Sequence, residues 1–203
     1  NILASDYAVT SIRFKGDSSL MSVSAEGKVS TWHSLTGKKL HSFEEQNNPI
    51  MCLDMNFDCS KFATAGNDKT VRLYDDDTKT LIHDFKPNYY EIGHSNRIFA
   101  VTFSKTDPNI LVSGGWDGIL VFYDIRQKNI IGNCLGAHIC GDALDLKDNL
   151  VLAGSWKTKD QVKIFDMKKF QLIEIVDWGF DKEDKCSYAY TAQFSKLSSK
   201  KSM

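Results

Sequence analysis

Short apolar runs, separated by clusters of turn residues, dominate the middle of the chain. Between Gly93 and Arg126 they are Ile98–Phe103, Leu111–Gly115 and Ile119–Phe122, the last continuing into Tyr123-Asp124-Ile125-Arg126. Ser104–Asn109, with Asp107-Pro108 inside it, and Trp116-Asp117-Gly118 divide them. Runs of this length are too short for most helices and suit strands. Asp117-Gly118 between two apolar runs predicts a tight hairpin, because such a turn needs positive φ and Gly adopts it without steric cost.

The same shape recurs at Ser22–Trp32, at Thr64–Asp75 and, with a longer turn reaching Asp160, at Ala153–Asp166. The aromatic closing each copy is Trp32, Tyr74, Tyr123 or Phe165, at intervals of 42, 49 and 42 residues. Each copy predicts a central hairpin flanked by an inner and an outer strand. The inner strands are Val9–Phe14, Ile50–Met55, Ile98–Phe103 and Asp142–Leu146, and the outer ones Lys38–Phe43, Thr80–Phe85, Asn129–Leu135 and Phe170–Val176. The units run over about 5–43, 46–85, 93–135 and 137–176. Residues 187–195 predict the first strand of a fifth unit, and 196–203 a disordered Lys/Ser tail.

A period in the forties, with a strand-turn-strand core and an aromatic-Asp ending, resembles the WD-repeat (WD40) β-propeller family. The resemblance implies an all-β propeller of four blades plus the first strand of a fifth. Four blades leave sheet faces and strand edges uncovered. The chain is therefore expected to belong to a seven- or eight-bladed ring, its other blades missing or supplied by other chains.

In that family a His before the first strand, a Ser or Thr in the second, an Asp in the turn and a Trp in the third form a buried hydrogen-bonded chain. By position His94, Ser113 and Asp117 match it, with Tyr123 replacing the Trp. The second repeat has Thr64, Asp68 and Tyr74, but Glu45-Gln46 where Gly-His is expected. The first has Ser22 and Trp32, with Glu26 for the Asp and no His; the fourth has His138 and Asp160, but Ala153 and Phe165 replace both strand partners. The third repeat is thus expected to hold the sole complete network and to be the most rigid blade.

Composition narrows the functional classes. The 203 residues carry a net charge of -1, with 25% charged and 42% hydrophobic residues, and so no overall pull toward nucleic acid or a membrane surface. No apolar run approaches the ~20 residues of a membrane helix. Five cysteines, an odd number at irregular spacing, argue against a disulfide framework. They suit a reducing compartment, so a cytoplasmic location is expected, with a cytoskeletal or ciliary site as a variant. The chain opens at Asn1 inside a repeat, so its natural start is expected upstream and a signal peptide stays open.

His94, Ser113 and Asp117 also spell a hydrolase triad. Catalysis requires an exposed nucleophile beside its base and an oxyanion site, and no G-x-S-x-G elbow accompanies Ser113. No catalytic residue is assigned. Cys134, His138 and Cys140 supply three soft ligands where structural zinc takes four, so no metal site and no cofactor are assigned.

Trp116, Trp156 and Asn67 share one turn position, which in the family projects onto the top rim where partners dock. Partner contact and local packing are both open readings for the two indoles. Leu111–Arg126 resembles the box that joins some WD-repeat proteins to a cullin–RING ligase adaptor, with Arg126 as its discriminating residue. The expected function is a non-catalytic protein–protein interaction scaffold whose partners are other proteins, without nucleic acid or membrane. The alternatives are a ubiquitin-ligase substrate receptor, a structural component of a microtubule-based or ciliary assembly, and an enzyme on a propeller scaffold, which no motif supports.

Overall fold

A computed structural model describes residues 7–87, 93–177 and 188–195. Sixteen strands form four antiparallel four-stranded sheets, each a simple meander, and the described residues contain no helix. The first sheet is β1 (Val9–Lys15), β2 (Ser19–Ser24), β3 (Lys28–His33) and β4 (Lys39–Glu44). The second is β5 (Ile50–Met55), β6 (Lys61–Gly66), β7 (Val71–Asp75) and β8 (Leu81–Phe85). The third is β9 (Ile98–Phe103), β10 (Ile110–Gly115), β11 (Ile119–Asp124) and β12 (Asn129–Leu135). The fourth is β13 (Leu144–Lys147), β14 (Leu150–Gly154), β15 (Val162–Asp166) and β16 (Gln171–Val176).

The central hairpins turn where the chain supplies positive φ: Gly27 at 89°, Lys69 at 67° and Gly118 at 77°. Each third strand pairs with its fourth through a register shift just before the aromatic, at Thr31/Trp32, Leu73/Tyr74, Phe122/Tyr123 and Ile164/Phe165. One bulge in one place four times shows that the repeats are structurally equivalent.

Alternation along the strands gives every sheet two apolar faces, and the sheets stack on them. Three separate cores result. Met21 and Val23 meet Phe62 and Tyr74 between the first and second sheets. Leu73 and Ala65 meet Leu111 and Tyr123 between the second and third. Phe122 and Val112 meet Val151 and Phe165 between the third and fourth. Four sheets with three cores make an open arc. The far face of the first sheet shows this directly, leaving Ile12 49% and Phe14 70% exposed while Met21 and Val23 on its other face are fully buried.

The inner strands β1, β5 and β9 and the residues before β13 line a common channel of about 470 Å³. Arg13 on β1 reaches Asp54 of the second sheet at 3.0 Å and Asp142 ahead of β13 at 3.5 Å. Asp54 Oδ2 accepts the backbone N–H of Phe103, tying β5 to β9.

Two elements differ from expectation. β13 begins at Leu144 rather than Asp142, because Ala143 N–H turns back to the Gly141 carbonyl and the Asp142 carbonyl accepts Thr191 Oγ1. Residues 188–195 form no ladder. They still lie where a fifth inner strand would, since Phe194 N–H donates to Asp145 Oδ2 at 2.9 Å as Phe103 does to Asp54. A strand needs a paired neighbour, and none stands beside this segment among the described residues. The expected Lys/Ser tail lies outside the described residues.

Candidate functional site

In the third repeat the buried chain is continuous. Tyr123 OH lies 2.9 Å from Ser113 Oγ, which lies 2.7 Å from His94 Nε2; His94 Nδ1 lies 2.8 Å from Asp117 Oδ2. Asp117 also accepts the N–H groups of Ser95 and Ile119. Burial pushes the Asp117 pKa up, but the hydrogen bond and charge of His94 and these amides outweigh it and hold the carboxyl below its ordinary value. Burial raises the Tyr123 pKa, so the phenol stays a neutral donor. Ser113 is fully buried with its hydroxyl engaged on both sides, which leaves it no approach as a nucleophile.

The second repeat corrects the expectation that the third alone holds a complete network. Glu45, 5% exposed, takes the place of the missing His. Its Oε1 accepts Thr64 Oγ1 and, at 3.0 Å, Tyr74 OH; its Oε2 accepts Asn48 Nδ2 at 2.6 Å and Arg72 Nη1 at 3.1 Å. Arg72 also pairs with Asp68. A carboxylate is acceptor-only, so it can receive both hydroxyls at once, and the negative charge this buries requires a cation. Arg72 is that cation. The structure shifts the expected alignment by one: Glu45 rather than Gln46 is the equivalent of His94, each lying 19 residues before its hydroxyl partner, and Arg72 four residues after Asp68 becomes legible as its cation only once the strands are in register.

The other repeats hold reduced versions. Trp32 Nε1 donates to Ser22 Oγ at 2.8 Å in a buried bond, and Glu26 pairs with Lys28 at 3.2 Å. In the fourth repeat Ala153 and Phe165 carry no hydroxyl for His138. Its ring stacks on Trp116 instead, with centroids 5.9 Å apart and planes at 18°. Asp160 sits exposed in the β14–β15 loop with φ 55°. Among the described residues no metal-binding group of His, Cys, Asp and Glu is assembled; Cys134 is a free buried thiol, pushed up to about 11 by burial.

Asn67, Trp116 and Trp156 occupy equivalent places. Their N–H groups donate to the carbonyls of Pro49, Arg97 and His138 at 3.1, 3.0 and 2.7 Å, in the link preceding each repeat's inner strand. All three residues are exposed at one rim, each tryptophan at 38%. Sequence reasoning missed what holds them. Trp116 stacks on the His138 ring, the Arg97 guanidinium lies over the indole 5.7 Å from its centroid, and Phe99 is tilted against it. Trp156 stacks on Tyr188 at 4.7 Å and meets Tyr190 edge-on at 5.8 Å. Each indole leans on an aromatic of the following repeat.

Arg126 stands apart. It lies in the β11–β12 turn, at the opposite end of β11 from Trp116, so the four residues do not share a surface. Its side chain is 68% exposed, and the guanidinium reaches Asp124 at 3.4 Å.

Comparison with known proteins agrees with this geometry. The WD domain, G-beta repeat family matches residues 37–75 and 85–124. Human apoptotic protease-activating factor 1 is 23% identical over 150 residues, covering 74% of this chain and 11% of that protein. Eukaryotic translation initiation factor 3 subunit I of Drosophila pseudoobscura pseudoobscura is 29% identical over 187 residues, covering 87% of this chain and 55% of that protein. The crystal structure of RRP9 WD40 repeats superposes with a TM-score of 0.72 at 16% identity, over 85% of this chain and 52% of that one. The chain thus spans 11% to 55% of the length of these proteins. Two stretches of this chain, 37–75 and 85–124, thus match WD40 repeats, and its four bulged, stacked sheets share the fold of WD40-repeat structures.

Proposed function

We propose that this chain is a non-catalytic protein-interaction scaffold whose partner docks on the rim bearing Asn67, Trp116 and Trp156. The observation that carries the reading is the state of the two indoles. Both are partly exposed and both are clamped by rings of the next repeat. A pre-ordered aromatic loses little conformational freedom on binding, which is why such residues dominate interface energetics. The buried networks beneath serve to hold the rim turns in place: Asp117 on the third sheet and Asp68 on the second each bind the N–H groups of their own turn. The WD40 fold is generally a non-catalytic scaffold, and the burial of Ser113 supports that here. The four cysteines among the described residues are free, which supports a reducing compartment, and on that ground the cytoplasm is the proposed location.

The test is affinity capture with the full chain, comparing wild type with the Trp116→Ala/Trp156→Ala double variant. Far-UV circular dichroism and urea midpoints establish that the variant remains folded. Proteins held by the wild type are expected to be lost from the variant. Their undiminished retention would place the docking surface elsewhere.

A further inference from the structure

In the second repeat the third-strand cation Arg72, opposite Thr64, is neutralised by Glu45 and Asp68. The fourth repeat places Lys163 at the same register, opposite Ala153 and two residues before its aromatic. Among the described residues nothing neutralises it in the same way. The residue directly after Trp156, where Asp68 follows Asn67, is Lys157. His138 faces Trp116, and among the described residues no acid takes the role of Glu45.

Lys163 is nonetheless 8% exposed and makes no ion pair among the described residues. Its Nζ donates to the Gly136 carbonyl at 2.7 Å, leaving two of the three ammonium donors. Burial lowers its pKa; Asp160 opposes this and the neighbouring Lys157 adds to it.

Lys163 lines a cleft of about 550 Å³ between the β14–β15 loop and Tyr188. Lys157 and Lys159 line it too, against the single acid Asp160 among the described residues, a surplus of two positive charges over that lining. The stacked rings of Trp156 and Tyr188 form its apolar wall. A largely buried lysine without a carboxylate partner among the described residues, beside two exposed lysines and an aromatic wall, is an incomplete ion pair at the edge of a cleft.

We propose that this cleft binds a phosphate monoester carried on a polypeptide. Lys157, Lys159 and Lys163 meet the phosphoryl oxygens, and the Trp156–Tyr188 wall takes the apolar atoms beside them. The inference rests on the protein-interaction reading above. A phosphorylated side chain fits better than a carboxylate, because it brings nearly two charges and three acceptor oxygens to a site with two surplus charges and three ammonium groups. A nucleic acid fits less well, since its phosphates call for a track of cations and these lysines cluster around one loop.

The full chain, in phosphate-free buffer, is titrated by fluorescence anisotropy with three degenerate short-peptide libraries whose central residue is phosphothreonine, threonine or glutamate. Inorganic phosphate and single-stranded oligothymidine are run beside them, and the indole N–H signals of Trp156 and Trp116 are followed by NMR. The phosphothreonine library should bind at least about tenfold tighter than the other two and shift Trp156 more than Trp116. Lys157→Ala, on the exposed loop, and Lys163→Met should each weaken it by about tenfold or more. Equal binding of the three libraries, tighter binding of oligothymidine, no gain over inorganic phosphate, or full binding by Lys157→Ala would overturn the proposal. If the libraries bind equally while the indole double variant loses its partners, the phosphate site fails and the scaffold reading stands. The opposite pair of results would retain the phosphate site and remove the docking rim.

Discussion

Tyr74 donates its hydroxyl to Glu45 at 3.0 Å, where the equivalent Tyr123 reaches an imidazole only through Ser113. The two repeats solve one problem, a buried phenol above a buried hydroxyl, with opposite electrostatics. One uses a carboxylate neutralised by Arg72, the other a histidine held by Asp117.

Removing Glu45 should therefore be the more damaging change. Glu45→Ala strands Thr64, Tyr74, Asn48 and one arm of Arg72, and should cost about 3–5 kcal/mol, as breaking a buried ion pair does. His94→Ala should cost on the order of 1–3 kcal/mol through its unsatisfied partners. Urea unfolding of both variants checks the order, and a His94→Ala loss exceeding that of Glu45→Ala would contradict it.

Asp117 makes the third repeat sensitive to acid. Its pKa in the folded chain lies below the unfolded value of about 3.9, so its contribution is fully present above that value and is lost as pH falls through the folded pKa. The stability gap between wild type and Asp117→Asn should be constant from neutral pH down to about 5 and narrow below about 4. Unfolding curves across that range measure it; a gap that widens with acid would reverse the assignment.

Trp32 and Ser22 form the first repeat's whole buried link, at 2.8 Å. A double-mutant cycle of Trp32→Phe and Ser22→Ala should return a coupling of about 1 kcal/mol, the net worth of a buried hydrogen bond. Additive losses would mean that the indole acts by packing alone.

Two glycines flanking the Trp116 turn should fail for different reasons. A Cβ on Gly115 would sit 2.2 Å from the Arg97 carbonyl oxygen, the acceptor of Trp116 N–H. Gly115→Ala should thus cost about 1–3 kcal/mol, as overpacking does, and shift Trp116 emission to the red as the turn lifts. Gly118 has open space around it but φ of 77°, so Gly118→Ala should cost roughly 1–2 kcal/mol of backbone strain with the emission unchanged. Thermal melts with fluorescence spectra separate the two.

The strands, their turns and the fourfold repeat were legible in the sequence, because alternation and turn chemistry are local properties of a few neighbouring residues. Leu111–Gly115 and Ile119–Asp124 needed nothing beyond their own pattern and Gly118 between them. Matching His94, Ser113 and Asp117 by position rested on the resemblance to the WD-repeat family, since the other repeats of the chain do not carry the full set. The role of Glu45 was decided by tertiary structure, because its partners Thr64, Arg72 and Tyr74 lie 19, 27 and 29 residues away and converge only when β6 and β7 are in register. The same holds for His138, which the pattern assigns to its own repeat and the packing gives to Trp116. Lys163 is an ordinary strand lysine by sequence. Its burial, the lack of a counter-ion among the described residues and the cleft it lines arise from how the fourth sheet meets Gly136 and Tyr188, a relation between repeats that no periodicity within one of them encodes.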